Sequence, residues 1–449
     1  MEPPAARAAG QSIFALVFGL FLGLALLKFG NPPIFEKWVT VPHGFFEFVL
    51  GFPWPISWAY GLVIFVAVLG AVNIRHPHSA PAWVAIAPAL WLIWLFVTTT
   101  QSQDTALSEP TLKHLAVCVV CFYFGLFSLS HVKQFWLFWI GVIGCFCLVL
   151  ASGFEQHFGG LEQTRRYFFL YMYPTMPDVS PEYLKKMSST RIFSTLFYPN
   201  ALAGLLLLLL PPTVAVVWHS KRFTKDAKVF LVGIFVLAAL ACLFWSGSKG
   251  GWLLMVVLGV VGLLHARMNL RYKYALLAVL LLLSLTGFGL KYAGFFEKGA
   301  TSVSARFDYW RAAVATAGSS PLFGTGPGTF AIPYAKIKRP ESEMSRLVHN
   351  DYLEQASDSG IVGFVLYTGM VVGLLFYTHP RQAKAANRWV HFAIWLGLLG
   401  FCLQGLMEFG LYIPALAWTA FALFGVLFGQ TGQRNPSTKL NETDTVRSR

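Results

Sequence analysis

Long apolar runs, separated by shorter polar connections, dominate this chain of 449 residues. A helix needs about 20 mainly apolar residues to cross the hydrocarbon of a bilayer. Twelve stretches fit this requirement: 11–30, 56–72, 82–99, 110–130, 134–153, 192–218, 228–246, 251–265, 273–292, 360–378, 389–407 and 411–429. The alternation typical of an outer-membrane barrel is absent from the sequence. We therefore predict an all-α polytopic membrane protein with about 12 transmembrane helices.

Composition excludes two other classes of protein. With 56% hydrophobic and 12% charged residues and a mean hydropathy of +0.59, the chain is too apolar for a soluble globular domain. The net charge of +14 would suit nucleic-acid binding, but the sequence has no soluble basic domain with interleaved aromatic residues. All six cysteines fall in predicted spans, so the CxxC of Cys118 and Cys121 indicates packing rather than a zinc or redox site.

Basic residues in short connections predict the orientation, because such loops stay in the cytoplasm. The basic connections share one side if the N-terminus is inside: Lys221, Arg222, Lys225 and Lys228; Arg267, Arg271 and Lys273; Arg381, Lys384 and Arg388. The predicted organisation is then 1–153 (spans one to five), 154–191 (outer loop), 192–293 (spans six to nine), 294–359 (large outer loop), 360–430 (spans ten to twelve) and 431–449 (disordered cytoplasmic tail).

Both outer loops are basic. One carries Arg165, Arg166, Lys185, Lys186 and Arg191, and the other Lys298, Arg306, Arg311, Lys336, Lys338, Arg339 and Arg346. Long loops escape the charge rule, so their positive charge is compatible with the outer side. Basic clusters at a membrane surface attract either lipid headgroups or a phosphorylated substrate. The composition of the loops leaves these two interpretations open.

The large outer loop begins with a predicted amphipathic helix and a tight turn. Residues 303–317 suit a helix with Ser304 as its N-cap and an apolar stripe. The stripe comprises Phe307, Trp310, Ala313 and Val314. Gly324, Gly326 and Gly328 then predict a hinge or tight turn. This turn lacks the Lys-Ser/Thr ending and the preceding strand of a nucleotide-binding loop.

The loop ends with a histidine that is a candidate general base. A helix is predicted from about His349 to Ser357, with Gly360 opening the next span. A helix N-terminus disfavours the imidazolium form, which leaves a neutral imidazole able to accept a proton. The alternative is a surface histidine that caps the helix.

Four motifs occur in one order along the second half of the chain. They are Arg191 to Asn200 with Gly204, Trp245 to Trp252, Arg306 to Trp310 followed by Pro321 to Phe330, and His349 to Glu354. In their residues and their order they resemble the bacterial O-antigen ligase and O-antigen polymerase family. The resemblance covers roughly residues 190–430 and is ligase-like.

The resemblance implies a membrane glycosyltransferase of GT-C-like architecture in the bacterial inner membrane, with its site facing the periplasm. The donor would be a glycan on undecaprenyl diphosphate. The acceptor would be lipid A core for a ligase, which would place the protein in lipopolysaccharide biosynthesis. It would be another lipid-linked repeat unit for a polymerase, or a protein side chain for a protein O-oligosaccharyltransferase. No cofactor and no metal are expected, and the outer loops show no His/Asp/Glu cluster of ligand spacing.

The resemblance also implies roles for individual residues. Arg191 and Arg306 would clamp the diphosphate, because a guanidinium binds phosphate oxygens bidentately. His349 would remove the proton of the acceptor hydroxyl during an inverting attack. Substrate-binding roles are predicted for Arg311, Lys249, Asn200, Tyr198, Asn350 and Arg346. Lys249 stands where the family has arginine, so its role is expected to be a supporting one.

Three acidic residues were candidates for orienting roles. Asp308 and Glu354 are expected to orient an arginine or to lie on a helix face. Glu408 is costly if it faces lipid. It would either orient a loop arginine or lie at the membrane interface, and the sequence favours the interface.

Two other function classes compete with the enzyme. A polyprenyl-glycan flippase or transporter would also have about 12 spans, but no inverted repeat, paired broken spans or abundant intramembrane charges are visible. A non-catalytic scaffold for polyprenyl lipids is the third possibility. It predicts that His349→Ala keeps function, whereas the enzyme requires loss of activity with normal insertion.

Overall fold

The protein is described by a computed structural model over residues 4–49, 53–71, 73–74, 81–175, 184, 188–196, 198–297, 301–340, 342–380 and 388–431. Within these ranges the chain is helical or irregular and contains no strand. The prediction of an all-α polytopic membrane protein is confirmed. Lys185, Lys186, Lys298, Arg381, Lys384 and the predicted tail lie outside the described residues.

The α-helices of the described residues follow here in chain order. In the first half they are α1 (Pro4–Lys28), α2 (Phe45–Val49), α3 (Ile56–Ala71), α4 (Ala82–Thr100), α5 (Thr105–Tyr123), α6 (Trp136–Glu155) and α7 (Leu161–Tyr167). In the second half they are α8 (Pro199–His219), α9 (Lys225–Ser246), α10 (Lys249–His265), α11 (Leu270–Glu297), α12 (Thr301–Ser319), α13 (Ala331–Ile337), α14 (Asp351–Tyr377), α15 (Arg388–Gln404) and α16 (Pro414–Thr431).

Nine helices among the described residues are long and apolar enough to cross a bilayer. Two shorter apolar helices, α3 and α10, coincide with the second and eighth predicted spans. The 17-residue α15 lies at the eleventh. The exact number of spans and the domain boundaries remain predictions.

The last helix, α16, is the centre of the bundle. It is almost wholly buried, with 94% of its apolar window inside the protein. It packs against α5 and α1, while α8 packs between α9 and α15. Around this centre α1 and α6 lie backbone to backbone, since a Cβ on Gly19 or Gly141 would collide with the main chain of the opposite helix. Small residues permit such close helix packing in membranes.

At the periphery, α11 has no buried residue in its apolar window and packs mainly along α10. The start of the predicted first outer loop is ordered as helix, since the chain stays helical from Trp136 to Thr175 with a kink at Gly159.

In the large outer loop the predicted helix exists with different details. It begins at Thr301, so Ser304 is inside the helix and the predicted N-cap is wrong. The face buried against α14 and α13 contains Tyr309, Ala312 and Ala313, whereas Phe307 and Val314 are exposed. The predicted stripe is therefore correct only in part. The prediction left open whether the stripe faces the membrane or the mouth of the bundle. Towards α14 and α13 this helix buries a tyrosine and two alanines.

Candidate functional site

The site lies where the start of α14 meets the turn between α15 and α16. Asn350 caps α14 by accepting from the backbone N–H groups of Tyr352 and Leu353, so the predicted start at His349 is one or two residues early. Asn350 also donates to the carbonyl of Leu406 at 2.9 Å. In the next position the carboxylate of Asp351 accepts from the N–H of Leu411 at 3.1 Å. These bonds attach residues 405–412 to the N-terminus of α14.

The centre of this site is Glu408, a side chain only 5% exposed. Its Oε1 accepts from Asn200 Nδ2 at 2.6 Å and pairs with Arg306. Its Oε2 accepts from the Tyr198 hydroxyl at 2.6 Å and lies 3.2 Å from His349 Nδ1. Glu408 thus joins four residues from three distant parts of the chain, and of its two predicted roles the contact with a loop arginine, Arg306, is the one observed.

The charge of Glu408 is stabilised despite its burial. Burial raises the pKa of this carboxyl, but Arg306 and the hydrogen bonds from His349 and Tyr198 outweigh it and lower the pKa to about 2. A buried carboxylate surrounded by donors prefers the ionised form. The group is therefore a fixed negative charge at neutral pH.

His349 is held in an orientation that favours proton transfer at one nitrogen. Its backbone is left-handed, with φ of 56°, an uncommon conformation for a non-glycine residue. The ring stacks on Tyr309 at 5.7 Å and meets Phe409 edge-on at 4.7 Å. Nδ1 faces the Glu408 carboxylate, so we place the proton of the neutral imidazole on Nδ1. Nε2 is then the ring nitrogen that can accept a proton. No hydrogen-bond partner among the described residues meets Nε2.

The backbone before His349 is fixed by a second buried carboxylate. Glu354 is 0% exposed, and its Oε2 accepts from the N–H of Val348 at 3.1 Å. Glu354 was expected to orient an arginine or to lie on a helix face. It instead holds the main chain at Val348. Asp308 accepts from the Ser342 hydroxyl at 2.7 Å and lies 4.0 Å from Arg311.

The glycine-rich turn fastens the same region from the other side. Gly324, Gly326 and Gly328 all have positive φ, which confirms the predicted tight turn. The N–H of Gly326 donates to the carbonyl of Asp358 at 2.9 Å, and that of Gly328 to the Asp358 carboxylate at 2.7 Å. The turn therefore serves to attach the loop to α14.

Arg306 reaches the site directly. Its Nε donates to the carbonyl of Met407 at 3.0 Å, and its Nη2 pairs with Glu408. The side chain remains 21% exposed. Its Nη1 also donates to the carbonyl of Ser302 at 3.4 Å. A guanidinium has five N–H donors, so these three bonds orient it and leave others for a ligand.

Arg191 reaches Glu408 through an intermediate residue. Its Nη2 donates to Asn200 Oδ1 at 2.8 Å, and its Nε donates to the carbonyl of Ser246 at 2.7 Å. The left-handed Gly247 after Ser246 lets the turn lie against this arginine. Burial lowers the pKa of Arg191, and the negative charge of Glu408 opposes that effect.

A cavity of about 410 Å³ opens beside Arg191. Its lining includes the cationic side chains of Arg165, Arg191 and Lys291, together with the aromatic Phe244 and Trp245. Lys249 and Lys291 both lie over the ring of Tyr292, at 5.1 and 5.8 Å. Glu162 also lines the cavity and pairs with Arg165. The remaining cations, Arg191, Lys249 and Lys291, can hold an anionic group with more than one negative charge.

The remaining predicted residues are less central. Arg311 is 53% exposed and lies 4.0 Å from Asp308, and it makes no contact with Glu408 among the described residues. Asn350 is occupied by helix capping and by Leu406. Arg346 stacks on Trp38 at 4.6 Å and on Phe35 at 5.7 Å.

Within the described part of the chain, no group of three or more His, Cys, Asp or Glu side chains could hold a metal ion. The expected metal independence remains a prediction. Cys118 and Cys121 are buried and unbridged, in agreement with a packing role.

Known proteins were compared with this chain. Residues 233–368 match the family model described as O-antigen ligase. The resemblance predicted from the motifs is confirmed. The O-antigen ligase match contains Lys249, Arg306 and His349, whereas Arg191 and Glu408 lie outside it.

A curated Haemophilus influenzae protein, described as uncharacterized, is 28% identical over 190 residues. The alignment covers 36% of this chain and 48% of that protein. The chain therefore aligns with about half the length of this relative.

Sequence reasoning missed two residues. For Glu408 a loop arginine was named as one alternative, but its contacts with Tyr198, Asn200 and His349 were not predicted. A lone acid in an apolar stretch is costly without partners, so the basic loops already contained the signal. Lys291 was overlooked because a lysine at the end of a span is commonly an interfacial anchor. In the structure the Lys291 side chain lines the cavity beside Arg191.

Proposed function

We propose that the protein is an O-antigen ligase-like glycosyltransferase that moves a glycan from undecaprenyl diphosphate to an acceptor hydroxyl at the periplasmic face of the inner membrane. The single observation that carries the proposal is the hydrogen-bonded series His349–Glu408–Asn200–Arg191. It joins a candidate base to a candidate phosphate ligand through one buried carboxylate.

The proposed base acts through Nε2. The acceptor hydroxyl attacks the anomeric carbon, its proton passes to Nε2 of His349, and the bond between that carbon and the phosphate oxygen breaks. Undecaprenyl diphosphate leaves and the anomeric configuration is inverted. Glu408 keeps the Nδ1 proton in place and stabilises the imidazolium that forms, so it is a positioning residue. A positioned base adds about 10²–10⁴ in rate.

The leaving group is proposed to occupy the cavity beside Arg191. In an in-line displacement the base and the leaving group lie on opposite sides of the reacting carbon. His349 and Arg191 stand at the two ends of the hydrogen-bonded series, which supports this arrangement. Arg165, Arg191, Arg306, Lys249 and Lys291 offer five positive charges around this region, against the two negative charges of Glu162 and Glu408. The excess suits a diphosphate whose charge grows in the transition state.

The acceptor is proposed to be lipid A core. Polymerisation and transfer to protein remain the alternatives. Purified protein is given a lipid-linked glycan with several repeat units and a lipid A core acceptor. A ligase yields one transferred glycan per acceptor, whereas a polymerase yields a ladder of lengthened lipid-linked glycans. If the glycan were transferred neither to lipid A core nor to another lipid-linked glycan, the proposed function would be contradicted.

The flippase alternative predicts a different dependence on His349. His349→Ala should abolish transfer while the protein still inserts and binds the donor. If His349→Ala moved the donor across proteoliposome membranes at the wild-type rate, and the wild-type protein transferred no glycan, a flippase would be supported instead.

A further inference from the structure

The segment between α1 and α3 has an apolar outer surface close to the site. This interfacial segment, residues 33–49, contains a short helical turn, Pro33–Trp38, and α2. Four of its side chains are more than half exposed. They are Trp38 at 54%, Val41 at 52%, Phe45 at 75% and Phe46 at 77%. Apolar exposure of this kind marks an interaction surface.

The inner side of the interfacial segment packs on the loops that build the site. Ile34 is buried and lies against Gly328 of the glycine-rich turn. Arg346, three residues before His349, stacks on Phe35 and Trp38. The segment is therefore at the same end of the bundle as His349.

The charges of the segment distinguish it from an ordinary lipid-facing span. Lys37 and Arg346 each lie 4.6 Å from the ring of Trp38. The two acidic residues are already engaged, since Glu36 accepts from the N–H of Ile56 and Glu47 from that of His43, both at 2.7 Å. The surface thus combines exposed aromatic rings with two cations, a combination that suits acyl chains below a phosphorylated headgroup.

We propose that the interfacial segment is the docking surface for the acceptor, a phosphorylated and acylated glycolipid. Its acyl chains contact Phe45 and Phe46, and its phosphate lies near Lys37 and Arg346. The position of Arg346 before His349 favours the acceptor over bulk lipid, because the bound sugar then lies on the side of the base. The donor cavity is lined by other elements, which separates the two substrates. This inference rests on the proposed function.

The first test measures contact without requiring catalysis. Phe46 is replaced by the photoreactive p-benzoylphenylalanine in His349→Ala protein, in phosphatidylcholine nanodiscs containing equal amounts of lipid A core glycolipid and phosphatidylglycerol. The expected result is crosslinking to the glycolipid at least about tenfold above phosphatidylglycerol, which corresponds to a preference of one decade in affinity. Equal crosslinking to both would show a surface for bulk lipid and overturn the inference.

The second test separates acceptor binding from donor binding. Phe45→Ser/Phe46→Ser should raise the KM for acylated acceptor about tenfold, as expected for loss of an apolar contact surface, with little change in kcat or in the KM for donor. De-acylated acceptor should show no difference between the variant and the wild type. Phe376→Ser is the control, because Phe376 is equally exposed at 78% but lies at the other end of α14.

The two failures are distinguishable. Transfer by the wild-type protein with unchanged acceptor KM in the double variant would overturn the docking surface alone. Absence of transfer by the wild-type protein would overturn the proposed function and the acceptor role with it.

Discussion

Replacing Glu408 by glutamine tests the centre of the site with almost no change of shape. Oε1 receives two donors, Asn200 and Arg306, while Oε2 faces Tyr198 and His349. At the Oε1 position the new amide nitrogen, itself a donor, would face the donors of Asn200 and Arg306. The nitrogen should therefore take the Oε2 position, which faces His349. It would then donate to Nδ1, which moves the ring proton to Nε2. In that tautomer His349 cannot accept the acceptor proton there.

The size of the effect follows from the lost charge. The carboxylate and ring nitrogen are 3.2 Å apart, and the histidine side chain is 24% exposed. With charge centres about 4–5 Å apart and an effective dielectric constant of about 20, the attraction for an imidazolium is about 3–4 kcal/mol. That loss corresponds to about 10²–10³ in rate. The wrong tautomer adds to it, so we expect Glu408→Gln to lower kcat about 10³-fold or more.

The assay is single-turnover transfer from a fluorescent lipid-linked glycan, with donor binding measured separately. Donor affinity should change much less than kcat. Glu109→Gln is the matched control, because Glu109 is an exposed acid paired only with Lys113 in α5. Full activity of Glu408→Gln would refute the role of the carboxylate. A loss of donor binding equal to the loss of rate would show that Glu408 serves the donor site instead.

Three further predictions concern charge and backbone. The lowered pKa of Glu408, about 2 against an ordinary 4.5, contributes about 3 kcal/mol of stability, present above pH 4.5 and lost as the pH falls towards 2. The thermal stability advantage of wild type over Glu408→Gln should therefore shrink across that range, and a constant difference would contradict the burial of an ionised group. Arg191→Lys should lower kcat/KM for donor about 10²-fold, because a lysine cannot keep the bonds to Asn200 and Ser246 and also face the cavity. The control Arg311→Lys should stay within about twofold of wild type. Equal effects in the two variants would show that Arg191 does not bind the diphosphate. Gly360→Ala should lower the melting temperature strongly, because φ at Gly360 is 68° and a Cβ there would meet the carbonyl of Leu322. Gly44→Ala is the control and should change it little, because the space around Gly44 is open. Equal melting temperatures of the two variants would contradict the left-handed backbone at Gly360.

The membrane fold could be predicted because its cause is local. An apolar run long enough to cross a bilayer must be helical, since lipid offers no partner for backbone groups. The tight turn at Gly324 to Gly328 was also readable, because glycine is the residue that tolerates positive φ. The start of α12 could not be predicted in the same way, because Ser304 has the chemistry of an N-cap but lies inside the helix Thr301–Ser319.

The candidate site could be predicted only in its separate pieces. The motifs gave His349, Arg191 and Arg306, and the structure brings all three to one end of the bundle. Glu408 contacts His349 and Arg306 directly and Arg191 through Asn200, and it is 59 residues from His349 and 208 from Asn200 along the chain. No periodicity links residues so far apart. The exposed position of Arg311 was also unreadable, because it depends on which face of α12 is buried against α14.

In the proposed reaction His349, oriented by Glu408, accepts the proton of the hydroxyl that receives the glycan from a lipid-linked diphosphate. The most direct measurement mixes purified protein in nanodiscs with fluorescent undecaprenyl-diphosphate-linked glycan and lipid A core, and follows label on the acceptor. We predict one glycan per acceptor with wild-type protein and about 10²–10⁴ slower transfer with His349→Ala at unchanged donor binding. Transfer at the wild-type rate by His349→Ala would contradict the account.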